Sequence, residues 1–162
     1  MPWTKVLIDK ADFEDTLGKK GLRGLTYREA LREAQQQLLE TEPAVFLIGE
    51  GIDDPGGVFG STLDLHKKFP ERVLDMPIAE NGITGIAVGA AIAGMRPIFI
   101  HMRVDFLPMC MDMIVNHAAK WSYMTGGRVG VPLVIRSITG RGWGSAAQHS
   151  QALHALFAHI PG

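Results

Sequence analysis

The feature that most constrains this chain is a set of short apolar runs, each too short for a helix and each closed by a polar or glycine-rich loop. Residues 44–48 (AVFLI) follow Pro43 and end at Gly49; residues 97–101 (PIFIH) and 132–136 (PLVIR) repeat the design, and residues 72–75 form a shorter fourth run. Apolar runs of this length without alternation are typical of strands buried on both faces, which favours parallel strands covered by helices. Helical segments stand between them. Thr26 and Glu29 make an S/T-x-x-E capping box with Leu25 as its staple, and Ala30, Leu31, Ala34, Leu38 and Leu39 lie near one face of a helix reaching about Glu40. Further helices are expected at residues 63–69, within the small-residue stretch 82–94, and from Asp105 to about Met124 with Pro108 in the first turn. A last helix carries Leu153, Leu156 and Phe157, with Ser145 as its cap. The expected fold is therefore α/β: an open, mostly parallel sheet with helices on both faces.

Residues 1–24 show weak periodicity and are expected to form a mobile arm or partner-binding extension, with residues 25–162 forming the domain. A further strand would be expected after Gly162, so the chain reads as a domain separated from something longer. The 162 residues are 46% hydrophobic with a net charge of −1, enough for one real core and without the basic face that nucleic acid requires. The single Cys110 offers no disulfide framework, and no apolar run reaches membrane-spanning length. A cytoplasmic protein is the expectation.

In such sheets ligands sit beyond the carboxyl ends of the strands. Three segments should meet there: residues 75–82 (DMPIAENG), 101–106 (HMRVDF) and 136–149. Glu80 stands at the mouth of a helix whose Gly82, Gly85, Gly89, Ala90 and Ala93 have almost no side-chain bulk, so another backbone or subunit could approach closely. A carboxylate there can also serve only the helix dipole, worth a few tenths of a kcal/mol to about 1. Phe106 suits either the core or a stacking surface for a flat heterocycle. His149 lies in the polar tetrapeptide Gln148-His-Ser-Gln151, where a lone histidine is more often a surface group than a catalyst. The remaining histidines do not form a metal-ligand set.

Taken in order, several motifs resemble the β subunit of the decarboxylating component of pyruvate and branched-chain 2-oxo-acid dehydrogenases. They are Gly49-Glu50-Gly51, Gly56-Gly57-Val-Phe-Gly60, residues 66–80 (HKKFPERVLDMPIAE) and Gly85-Ile-Ala-Val-Gly-Ala-Ala91. Asn116-His-Ala-Ala-Lys120, Tyr123-Met-Thr-Gly-Gly127, Val131-Pro-Leu-Val-Ile-Arg136 and Gln148-His-Ser-Gln151 continue the series to the end of the chain. The resemblance implies a transketolase-like, pyrimidine-binding domain for thiamine diphosphate. It implies that Glu80 hydrogen-bonds the aminopyrimidine ring and favours the imino tautomer, which then deprotonates the neighbouring thiazolium carbon. It also implies that Phe106 packs on the pyrimidine, that Ile78 and Met102 contribute to cofactor binding, and that His149 lines the substrate channel as a second catalytic group. Three departures stand out: the family's C-terminal domain is missing, residues 100–104 read Ile-His-Met-Arg-Val, and Met113 follows Asp112 where the family often has Gln.

The diphosphate and magnesium half of such a site uses a Gly-Asp-Gly segment, which this sequence lacks, and Gly51-Ile-Asp53-Asp54 is no equivalent. The resemblance therefore implies a partner α-type subunit that supplies magnesium and the diphosphate site, together with self-association, a 2-oxo acid substrate and a lipoyl domain among the candidate acceptors. Alternatives with the same fold are a split transketolase or deoxyxylulose-phosphate-synthase-like subunit and a non-catalytic assembly module. A dinucleotide-binding domain would need a Gly-x-Gly-x-x-Gly turn after the first strand, which is absent.

Overall fold

The computed structural model describes residues 10–140 and 145–162. Its centre is a four-stranded, wholly parallel sheet made of β1 (Val45–Gly49), β2 (Val73–Asp75), β3 (Arg96–Arg103) and β4 (Val134–Ile138), in the order β2-β1-β3-β4. Helix α2 (Tyr27–Thr41) leads into β1, α3 (Leu65–Lys68) connects β1 to β2, and α4 (Glu80–Ile92) connects β2 to β3. Alternate strand residues enter two cores, as a sheet buried on both faces requires. Val45, Leu47, Ile98 and Ile100 pack with Leu39, Val58 and Leu65 on one face. Phe46, Ile48 and Phe99 pack with Ile83 and Ala87 of α4 on the other.

The strongest local signal in the sequence is kept: the Glu29 carboxylate accepts hydrogen bonds from Thr26 N at 2.7 Å and Thr26 Oγ1 at 2.6 Å, fixing the start of α2. Several boundaries differ from expectation. Within the stretch read as a mobile arm or partner-binding extension stands a helix, α1 (Lys10–Lys19); residues 1–9 lie outside the described residues. Strand β3 runs two residues beyond His101, with a register shift against β4 between His101 and Arg103 that marks a β-bulge.

The single long helix expected from Asp105 is instead three pieces: a 3-10 segment Val104–Cys110, a π segment Asp112–Ala118 and α5 (Trp121–Met124). Pro108 falls inside the 3-10 segment rather than in an α-helical first turn. Its missing N–H and ring are compatible with a tight turn but not with an uninterrupted i→i−4 ladder. Ser145 does not cap the last helix: α6 (His154–Ala158) starts after Leu153, and a 3-10 turn, Ala147–His149, comes between. Of the expected glycine loop 140–144, only Gly140 is among the described residues.

Gly49 is where the sheet tolerates least change. A Cβ built there would lie 2.2 Å from the carbonyl oxygen of Ile100, so β1 and β3 approach as closely as they do only because this residue has no side chain. Gly56 has nothing within 4 Å of an added Cβ. Gly49→Ala should lower the unfolding free energy by about 1–3 kcal/mol, the usual range for overpacking. Gly56→Ala should stay within about 0.5 kcal/mol of the parent. Chemical denaturation of the two variants side by side checks both.

Candidate active site

The strand order places a topological switch between β1 and β3, because the chain leaves β1 toward β2 on one side and returns to β3 on the other. The crevice beyond the carboxyl ends of these two strands is where an open α/β sheet binds ligands. Glu50 follows β1 directly, Glu80 is the first residue of α4, and His101 lies near the end of β3. All three are buried.

Glu80 is only 7% exposed, yet its carboxylate has no hydrogen-bond partner among the described residues. It stands at the positive end of a 13-residue helix, which favours a negative charge there. Its own carbonyl is tied down by Thr84 Oγ1, which donates to it at 2.7 Å. Beside it, Glu50 has one carboxyl oxygen with no partner, while the backbone of Ala79 donates to the group. Burial first, and then the nearby charge of Glu80, push the Glu50 carboxyl above the ordinary carboxylate range.

His101 is fully enclosed. Its Nδ1–H donates to the Arg103 carbonyl at 3.0 Å, which leaves Nε2 as the unprotonated nitrogen, 3.9 Å from Cys110 Sγ. The ring meets Phe99 edge-on, with centroids 5.4 Å apart. Burial lowers the His101 pKa, against smaller opposing effects from the Arg103 carbonyl and from Glu80. Burial likewise pushes the Cys110 thiol up, despite a hydrogen bond with Thr84. This wall of the crevice is therefore a neutral imidazole and a neutral thiol facing two carboxyl groups.

A second group is built by the segment after β3 and the segment after β4. Phe106 and His149 meet edge-to-face with ring centroids 5.2 Å apart and an interplanar angle of 78°. His149 Nδ1 is buried without a partner. Arg103 donates to the carbonyls of Gly140 and His149, and Asp105 accepts from Gln151 N at 3.0 Å.

The structure thus brings Phe106 and His149 into contact, and groups Glu80 with Glu50, His101, Thr84 and Cys110. Ile78, two residues before Glu80, is 83% exposed at the rim. Met102 packs its side chain against the Leu47 and Ile100 core and near Gly51, just beyond the carboxyl end of β1. Gly82 and Gly89 lie exposed on α4 with almost nothing near an added Cβ, so their smallness serves no packing among the described residues. No group of His, Cys, Asp and Glu suited to a metal ion occurs among the described residues.

Residues 23–162 match the family model described as the transketolase pyrimidine-binding domain. The chain belongs to that family. It is 45% identical over 150 residues to the β subunit of acetoin:2,6-dichlorophenolindophenol oxidoreductase from Cupriavidus necator, covering 86% of this chain and 44% of that protein. It is 47% identical over 139 residues to the β subunit of the pyruvate dehydrogenase E1 component of Rickettsia conorii, covering 85% and 43%. The mitochondrial β-2 subunit of the same component in rice is 45% identical over 139 residues, covering 85% and 37%. Among solved structures, a split-gene transketolase described as an inactive β4 tetramer aligns with a TM-score of 0.65 at 25% identity, covering 86% of this chain and 41% of that one. The chain spans less than half the length of these relatives.

For a pyrimidine-binding domain of this family, sequence reasoning weighed Glu80 and missed its surroundings. Glu50 was visible only as part of a glycine motif; its position directly after a buried strand at the switch point is the signal that could have singled it out. Thr84 carried the helical i+4 spacing from Glu80. Arg103 stood out only as part of the departure at residues 100–104 and Asp105 only as a helix start, because the loop groups they bond lie 37 or 46 positions further along the chain.

His101 leads to a pH prediction. Its folded pKa is depressed, so the unfolded chain binds the extra proton more readily; the stability this group contributes is present above its unfolded pKa of about 6.5 and is lost as pH falls toward the folded value. His101→Gln should remove that dependence. Denaturation at pH 7.5 and pH 5.5 is expected to show a larger loss of stability on acidification in the parent than in the variant.

Proposed function

We propose that this chain is the cofactor-activating half of a thiamine-diphosphate-dependent 2-oxo-acid dehydrogenase of the pyruvate dehydrogenase type, which decarboxylates a 2-oxo acid together with a partner α-type subunit. The single observation that carries the proposal is Glu80: a buried carboxylate with no partner among the described residues, at a helix mouth in the switch-point crevice. The hydrogen-bonding capacity of that carboxylate is unused within the described residues, so a heterocyclic nitrogen or its proton arriving there completes a group the fold leaves open. Thiamine diphosphate, when bound, supplies the nucleophilic carbon and the electron sink for decarboxylation.

Everything else is done by the protein. Glu80 holds a proton between its carboxyl oxygen and the cofactor's ring nitrogen, in a site where burial strengthens the interaction. Glu50, whose proton is more tightly held than usual, keeps the second carboxyl from adding a full like charge beside it. Phe106 offers a flat surface, oriented by its edge contact with His149. His149 faces the reacting substrate, and Ile78 and Met102 complete the pocket for the pyrimidine. The diphosphate and its magnesium are held on the partner side, since the chain has no Gly-Asp-Gly segment.

The exposed Ile78 and Ile86, with Gly82 and Gly89 on the same helix, supply the apolar, low-relief surface a neighbouring subunit could cover. A heteromer with the cofactor between chains, and self-association of the β-type chain, are parts of the same reading. So are a lipoyl domain as acyl acceptor and a cytoplasmic location, although one of the relatives compared is named as mitochondrial. No helix among the described residues is long and apolar enough to cross a membrane. A split-transketolase function has support from the structural neighbour, but identities of 45–47% to pyruvate dehydrogenase β subunits against 25% favour the 2-oxo acid.

In a complex reconstituted with the α-type subunit, Glu80→Gln should reduce 2-oxo-acid decarboxylation by about 10²–10⁴-fold, the range for losing a positioned proton-transfer group. Wild-type rates in that variant would sink the assignment. The purified chain alone should show little or no heat of binding with thiamine diphosphate by calorimetry, and tight one-to-one binding without a partner would contradict the shared site.

A further inference from the structure

Arg103 and Asp105 have side chains only 3% and 0% exposed, with Arg103 Nε 3.3 Å from Asp105 Oδ2. Burying both members of an ion pair is unfavourable unless nearly every donor and lone pair finds a partner, and an apolar pair of similar volume would serve packing alone equally well. Here the spare bonding capacity goes to one distant segment. Arg103 Nη2 donates to the Gly140 carbonyl at 2.6 Å and to the His149 carbonyl, while Asp105 Oδ1 accepts from Gln151 N at 3.0 Å. Gly140 N in turn donates to Gln151 O at 2.7 Å, closing the base of the loop.

That segment has little regular structure of its own. Between the end of β4 at Ile138 and the start of α6 at His154, the only helical turn among the described residues is the three-residue Ala147–His149. What places His149 against Phe106 is therefore chiefly what Arg103 and Asp105 hold. Burial opposes ionisation of Asp105, but hydrogen bonds from the backbone and side chain of Gln151, and then from Arg103, outweigh it and keep the carboxyl below its ordinary range. The pair thus stays charged at neutral pH.

We propose that Arg103 and Asp105 are positioning residues, a buried ion pair that clamps the base of the loop 140–151 and so sets the His149 imidazole beside Phe106 before substrate arrives. This rests on the preceding reading, in which His149 faces the reacting substrate. The pair touches neither substrate nor cofactor itself. Because Arg103 bonds the backbone carbonyls of Gly140 and His149, these two contacts do not depend on the side chains at those positions. A guanidinium is suited to this, since its fork serves several acceptors at once, which an ammonium on a flexible stem does not reproduce.

The test uses the complete heteromeric complex loaded with thiamine diphosphate, comparing wild type with Arg103→Ala, Arg103→Lys and Asp105→Asn. Amide hydrogen exchange at Gln151, decarboxylation kinetics and calorimetric cofactor affinity are measured on each. Arg103→Ala is expected to exchange faster in residues 145–151 and to lose kcat/KM on the order of 100-fold through misplacement, with cofactor affinity unchanged. Added guanidinium should restore part of the rate, and the Lys and Asn variants should fall between. Unchanged exchange at Gln151, or faster exchange with wild-type kcat/KM, overturns the proposal, as does an equal loss of cofactor affinity. If Arg103→Ala does not assemble, Arg103→Lys carries the same comparison. A wild-type complex that binds the cofactor but decarboxylates no 2-oxo acid removes the preceding reading instead, and loop exchange alone then decides the clamp.

Discussion

The parallel pairing of β1 with β3 is the constraint on which the rest of the structure depends. Five consecutive residue pairs, from Val45 with Arg96 to Gly49 with Ile100, join the two strands that carry both cores. Each strand sends alternate side chains to opposite faces, so a one-residue slip would exchange the α2 core for the α4 core and leave neither packed. The pairing also creates the switch point, because β2 lies on one side of β1 and β3 on the other. Gly49 closes the pairing at its carboxyl end, and Glu50 enters the crevice in the next position. Fold and site are thus determined by the same few residues.

The crevice has two sides made by different means. On the Glu80 side the protein accepts unfavourable electrostatics: two carboxyl groups lie close together, one of them with an unpartnered oxygen, beside an imidazole that burial keeps neutral. An orphaned buried polar atom costs about 1–3 kcal/mol, so such groups persist where something else completes them. On the His149 side Arg103 and Asp105 use their bonds to order a loop, which leaves His149 Nδ1 as the open polar atom there. Each side thus keeps an open polar atom, and the His149 side adds a support that fixes its geometry. This division is the arrangement expected of a preorganised site, in which reactive groups stay available while their supports are locked.

Much of this was legible from local sequence, and the reasons for the rest are physical. The strands were readable because a sheet covered on both faces leaves uninterrupted apolar runs, and α2 because Thr26 and Glu29 satisfy its end with side chains only three residues apart. Glu80 was readable from its place between a strand and a helix of small residues. The broken course from Val104 to Met124 was not, since periodicity does not separate an α-helix from 3-10 and π turns when Pro108 interrupts the ladder but the apolar spacing continues. The last helix was placed too early because the polar stretch before it is organised by Arg103 and Asp105, not by a local cap. Met102 came from the resemblance alone; the alternation of β3 packs its side chain on the core of Leu47 and Ile100, near Gly51.

On the proposed function, the unpartnered groups lie where a further molecule would be needed. Glu50 Oε1 and His149 Nδ1 lie in segments that converge on the switch point, one on each side. Glu80 is unpaired among the described residues despite its burial. The chain spans less than half of its relatives, and the surface of α4 beside Glu80 carries exposed glycines and an exposed isoleucine that no packing among the described residues requires. A cofactor held only by this chain would leave that surface wet and screen the very interactions that make a buried carboxylate effective. Covering it with a second polypeptide removes water, brings donors to the open acceptors and strengthens the hold of Glu80 on a heterocycle in one step. The same low-relief helix face that lets a neighbour approach is therefore what would allow Glu80 to act at full strength.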